Sequence, residues 1–215
     1  MKFFIIWLSY MFFWSSIISF GLVLFRFKIR QFLPHILFGS FGLSTIGVIM
    51  QSPNLVPFLS MVLFASGTCC MWLILRFPFG HALLLMTVSY MVALMTEWLM
   101  NLLLPATTIV VISEDNQFRF LASAVLMSSF HYLYCMVLRR FRLGFSFLSQ
   151  SYTGKQFFKQ NSKTFKAAIC ISILVLLTTS ILFYMKPGLN YILAPPALLG
   201  LTILFKISYR WEFTE

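Results

Sequence analysis

From Phe3 to Phe25 the chain carries no charged residue, and runs of similar length with at most one charge recur along the whole sequence. About 20 apolar residues at a rise of 1.5 Å each match the roughly 30 Å hydrocarbon core of a bilayer. Backbone N–H and C=O groups at that depth must be satisfied within the chain, so helices are the expected element throughout. A water-soluble fold is excluded by composition: 60% of the 215 residues are hydrophobic, 10% are charged, and mean hydropathy is +0.90, whereas soluble domains run to about 25% charged. The 26 Phe exclude disorder on the same ground.

The first run would make a helix about 34 Å long. It lacks the small-residue cleavage pattern of a signal peptide and is expected to be retained. Arg26, Lys28 and Arg30 then precede a run from Phe32 to Met50, with Pro34 expected in its first turn, where a missing N–H costs little. The uncharged turn Gln51-Ser52-Pro53-Asn54 leads into Leu55 to Leu75, which Arg76-Phe77-Pro78-Phe79-Gly80 terminates. His81 to Leu104 contains one acid, Glu97, and stops at Pro105. Phe118 to Leu138, Ala167 to Met185 and Leu189 to Phe205 complete the set. The expected fold class is all-α: one integral membrane domain over 1–215, a polytopic bundle of seven transmembrane helices. Its spans are expected at about 3–25, 32–50, 55–75, 81–104, 118–138, 167–185 and 189–205, with a basic cytoplasmic loop over 139–166.

The net charge of +11 reads as topology rather than as a nucleic-acid surface, because the basic residues sit in short clusters between apolar runs. With seven spans, all of the 16 Lys and Arg except Lys2, Arg119 and Lys186 fall on one set of alternate loops and the tail. Cytoplasmic loops carry the excess of Lys and Arg, so the N-terminus is expected outside and the C-terminus in the cytoplasm.

Glu97 is the one acid within a span, and a carboxylate at the bilayer centre costs about 2.5 to 3.5 kcal/mol on insertion scales. In the expected orientation it lies seven residues, about 10 Å, below the outer end of its helix. Asn101 is one turn above it on the same face, and Arg119, at the outer start of the next span, is a candidate partner. These three residues are the candidate external ligand site. The alternative is structural, with Glu97 as a helix-to-helix tether or as an acid kept neutral by desolvation.

The three His and four Cys form no recognisable metal site. His131 and Cys135, at i and i+4, supply only two ligands. Cys69 and Cys70 point about 100° apart, and thiols filling helix interfaces account for the cysteines. No metal, cofactor or disulfide is expected. Gly80-His81-Ala82 is similar to a stretch in the membrane endopeptidases that process quorum-sensing propeptides. Those enzymes place a nucleophilic Cys seven residues after the His, and here that position is Val88. Without a thiolate partner there is no activated nucleophile, and no enzymatic activity is expected.

Arg139-Arg140-Phe141-Arg142-Leu143-Gly144-Phe145-Ser146-Phe147-Leu148 interleaves cations and rings beside the membrane, and Lys155, Lys159, Lys163 and Lys166 follow among Phe157, Phe158 and Phe165. Such a strip can rest at the interface, its charges on anionic lipid headgroups. Contact with a cytoplasmic or membrane partner is the alternative.

The order of these features resembles the membrane sensor region of Agr-type histidine kinases from Gram-positive bacteria. The resemblance rests on Arg76-Phe-Pro-Phe-Gly-His-Ala-Leu-Leu-Leu-Met-Thr-Val-Ser-Tyr90 running into the span of Glu97, on the Arg-Leu-Gly-Phe-Ser-Phe strip, and on the two closing runs. A kinase module follows the last helix in that family, whereas these 215 residues close on Arg210-Trp-Glu-Phe-Thr-Glu215, so phosphorylation chemistry is not carried over. The resemblance implies a sensor-like or accessory module of a bacterial signalling system in the cell membrane, alone or with another membrane protein or a histidine kinase. A small transporter, or the substrate-binding component of one, is the second expectation. A single intramembrane acid and uninterrupted helices argue against it.

Overall fold

A helix that is apolar on every side has no face for water and must pack against other helices or lipid. The first helix, α1 (Lys2–Leu24), fits that description, and every residue from Ser16 to Phe25 is buried. α2 (Ile29–Ile49), α4 (Phe79–Leu103) and α5 (Gln117–Arg140) pack against it, and α3 (Leu59–Leu73) packs on α2 and α4. The computed structural model describes residues 2–51, 55, 58–103 and 117–145, together with helical residues 170, 171, 173, 174, 178, 198–203, 205, 206 and 209. No strand occurs among the described residues.

Side-chain pairs set the helix directions. Trp7 donates to Thr45 at 3.3 Å while Phe27 meets Phe32, so α1 and α2 are antiparallel. Phe64 packs on Tyr90 and Trp72 on Phe79, which makes α3 and α4 antiparallel. Tyr10 meets Phe120, Ser16 meets His131 and Phe20 meets Tyr134, so α1 and α5 run parallel. The five helices thus alternate in direction. α1, α3 and α5 end, and α2 and α4 begin, at the same end of the bundle.

Small residues allow the helices to approach, the usual packing device where lipid offers no hydrophobic drive. At Gly21 on α1 an added Cβ would lie 2.3 Å from the Ser89 hydroxyl of α4, and at Gly39 on α2 it would meet Cys70 of α3 at 2.5 Å. Buried hydroxyls return to their own helix: Ser40 donates to the Ile36 carbonyl, Thr68 to Phe64, Ser89 to Leu85 and Ser128 to Ala124, all at 2.7 to 2.9 Å. This leaves few polar atoms unmet at membrane depth.

Four of the helices, α1, α2, α4 and α5, are long and apolar enough to cross a membrane. α3 departs from the 55–75 expectation. It has 15 residues, about 22 Å, because its regular turns start only at Leu59, after Pro57, and stop ahead of Arg76. α2 starts at Ile29 rather than 32, so Pro34 lies in the second helical turn instead of the first. Arg139 and Arg140 belong to the last turn of α5, where their charges complement the helix C-terminus, and the basic loop therefore begins later than 139. The expected spans 167–185 and 189–205 fall outside the described residues except at the helical positions named above. Of those, Gly200 sits against Met91 of α4 and Phe205 against Phe145.

Three arginines end helices in the left-handed conformation normally left to glycine: Arg26 at φ 56°, Arg76 at 57° and Arg142 at 52°. After α1, the Arg26 and Phe27 N–H groups return to the Val23 and Leu22 carbonyls at 2.9 and 2.8 Å. Arg142 and Leu143 do the same to Arg139 and Leu138 at 3.3 and 2.9 Å. These are Schellman closures, with Arg bearing a cost of about 1 to 2 kcal/mol that glycine would avoid.

Candidate functional site

Glu97 is partly buried on α4, toward the end where α1 begins and α2 ends. A seven-residue step returns a helix to nearly the same face, which stacks Tyr90 below it. The Tyr90 hydroxyl hydrogen-bonds to Ser60 of α3, and both Tyr90 and Tyr10 of α1 lie within electrostatic reach of Glu97. Gln51, just beyond α2, donates from Nε2 to the Tyr10 hydroxyl. Trp14 stacks on Tyr90 with ring centroids 6.1 Å apart. Three helices, α1, α3 and α4, and the residue that follows α2 therefore contribute side chains to one polar cluster near Glu97.

The cluster has hydrogen-bonding capacity left over. Among the described residues the buried Nε1–H of Trp14 and the buried Oε1 of Gln51 have no partner, and a buried polar atom left unmet costs about 1 to 3 kcal/mol. Trp14 adjoins the cluster through its stacking on Tyr90, and Gln51 through its bond to Tyr10.

The residues expected around Glu97 are distributed differently. Asn101 follows one turn later on α4, and its side chain lies outside the described residues. Arg119 is exposed in the first turn of α5, and among the described residues no ion pair joins it to Glu97. The groups near it instead are Tyr10 and Tyr90, which in turn bind Gln51 and Ser60. Only Tyr90 had a signal, its spacing of seven from Glu97; the others come from different helices.

At the opposite end, α1, α3 and α5 finish and their arginines gather. Arg139, Arg140 and Arg142 are exposed there, together with Arg26, Lys28, Arg30 and Arg76. The Arg26 guanidinium donates to the Arg142 carbonyl at 2.9 Å, and the Phe145 N–H donates to the Leu24 carbonyl at 2.8 Å. The strip 141–145 is thereby fastened to the foot of α1, with Phe145 buried against Phe25. Phe27 meets both Phe32 and Phe77, forming an aromatic layer under the cations. Lys155, Lys159, Lys163 and Lys166 lie outside the described residues.

His131 illustrates what the buried groups do not provide. Its Nδ1 is 3.1 Å from Ser16 Oγ, a Ser–His pair at membrane depth. Ser16 gives its only proton to the Phe13 carbonyl at 2.7 Å, so the imidazole must be the donor in that pair and does not serve as a base. The pair is a tether between α1 and α5. Among the described residues no three His, Cys, Asp or Glu side chains gather in a way that could hold a metal ion.

Comparison with models of known protein families, with curated proteins and with solved structures finds no match.

Proposed function

We infer that the chain is a non-enzymatic, sensor-like or accessory module of a bacterial signalling system, resident in the cell membrane of a Gram-positive organism. Seven spans, with the N-terminus outside, place the Glu97 cluster toward the outer surface and the arginines in the cytoplasm. A polar ligand or a group from a membrane partner engages Glu97, Tyr10 and Gln51 and shifts how α1, α2 and α4 pack. The observation that carries this reading is that side chains from separate helices, Tyr10 with Gln51 and Trp14 with Tyr90, meet at the end of the bundle that holds its one described acid, Glu97. A ligand there would change contacts on several helices at once, as a switch requires.

A transporter would need a polar path from one end to the other. Between the two ends the described bundle is filled by Trp14, Ile17, Ile18, Leu22, Leu85 and Met86, all fully buried. That filling favours the sensor-like reading.

Two measurements test it. A membrane-impermeant thiol reagent added to intact cells should label a cysteine at 114 in a background without other cysteines, and should leave one at 30 unlabelled until the membrane is opened. Labelling with the reverse sidedness would overturn the orientation. Glu97→Gln keeps the shape and removes the charge, and is expected to abolish signalling at normal protein level. Glu97→Leu should in addition lower stability by about 0.6 to 2 kcal/mol, the range for an interhelical polar contact in lipid. Wild-type signalling by both variants would leave the site without support.

A further inference from the structure

A groove of about 650 Å³ runs along the outside of the bundle between α1, α2 and α5. Its walls are largely apolar, from Leu8 and Phe12 on α1 to Leu33 and Leu37 on α2, with Met136 on α5 at 69% exposed. The Ser15 and Tyr132 hydroxyls, 3.1 Å apart, join its α1 and α5 walls. On α1 the groove extends from Ser19 back to Leu8, eleven residues or about 16 Å. That is close to half of a roughly 30 Å hydrocarbon core, the depth of one leaflet.

One mouth of the groove is charged. Arg139 lines it where α5 reaches the basic end, opposite Ile29, whose sequence neighbours Lys28 and Arg30 are exposed. Glu97 is the one acid among the described residues, and it stands toward the other end, so no described carboxylate neutralises these cations. A leaflet-deep apolar slot with a basic rim has the polarity of one molecule: an acyl chain below an anionic headgroup.

We propose that this groove holds an anionic phospholipid of the leaflet at the basic end, one acyl chain between α1, α2 and α5 and its phosphate against Arg139. The groove shares no residue with the Glu97 cluster, so the proposal stands independently of the sensor reading. A lipid so placed braces α2 against α5 and couples their packing to the charge of the surrounding leaflet.

The full chain, delipidated in mild detergent and titrated with phosphatidylglycerol or phosphatidylcholine, can be read by intact-complex mass spectrometry. One phosphatidylglycerol per chain is expected to be retained in preference to phosphatidylcholine. Arg139→Gln should weaken that retention about tenfold, the effect of one charge-assisted contact. Arg139→Lys should keep most of it, and Arg140→Gln, beside the groove but not in its wall, should leave it unchanged. Leu33→Trp should displace the chain with every charge intact. Equal retention of the two lipids, or equal losses at 139 and 140, would overturn the proposal, since either result means general attraction without a site. So would a photo-crosslinker at Leu33 that couples to another segment of this chain or to a second copy instead of to lipid.

Discussion

Gly21→Leu is expected to give the largest loss of stability of any single substitution in the α1–α4 contact, about 2 to 3 kcal/mol or a failure to fold, with the transition read from thermal aggregation in detergent. The reason is the closeness of the two helices. Even the first carbon of the new side chain would lie 2.3 Å from Ser89 Oγ and 2.6 Å from Leu85 Cδ2. Ser89 cannot simply turn away, because its hydroxyl is bound to the Leu85 carbonyl at 2.8 Å. The helices must separate, and overpacking of that kind costs about 1 to 3 kcal/mol before lost contacts elsewhere are counted. Gly42→Leu supplies the control: nothing lies within 4 Å of its Cβ position on α2, so it should behave like the parent. Ser89→Ala combined with Gly21→Ala should recover part of what Gly21→Ala loses, because the two sites share one clash. Similar transitions for the Gly21 and Gly42 leucine variants would show that α1 and α4 do not meet in this way.

Substitutions at two neighbouring left-handed positions, Gly144 and Arg142, are expected to have opposite signs. Gly144 has φ at 119°, and its Cβ would lie 2.4 Å from the Leu24 carbonyl oxygen, a backbone atom that no rotamer change can move. Gly144→Ala therefore adds about 1 to 3 kcal/mol of strain and forfeits the Phe145 N–H bond to Leu24, a further 0.5 to 1.5 kcal/mol or about that. The loss should be local, releasing the strip 141–145 from the foot of α1 while the helices stay packed. Amide exchange at Phe145 reports it, accelerating by roughly tenfold or more if about 1.4 kcal/mol or more is lost. Arg142→Gly, by contrast, relieves the strain at φ 52° and should slow exchange in the same segment, by about 1 kcal/mol of added protection. Equal responses of the two variants would mean that backbone conformation does not control how the strip is held.

Helices long and apolar enough to cross a membrane were legible from the apolar runs because a bilayer imposes one length and one backbone solution on every segment. The same runs located α1, α2, α4 and α5, and the basic clusters marked the end at which α1, α3 and α5 finish. Glu97 stood out through the cost of an acid at that depth. Boundaries were less legible. The short α3 and the early start of α2 depend on where backbone closures form, and apolar side chains continue past both ends of α3 without marking them.

What the sequence by itself determined is the helical class and which runs are long and apolar enough to cross a membrane, since both follow from hydropathy and backbone hydrogen bonding summed along the chain. The tertiary structure decided which helix is central, which side chains surround Glu97, and that α1, α2 and α5 leave a groove ending at Arg139. In lipid every helix is apolar on most of its surface, so hydropathy does not distinguish a buried face from one that meets acyl chains. That choice rests on shape: the glycines at 21, 39 and 67 let particular helices approach, and side chains as far apart in the sequence as Tyr10, Gln51 and Tyr90 share one cluster only because those approaches are made.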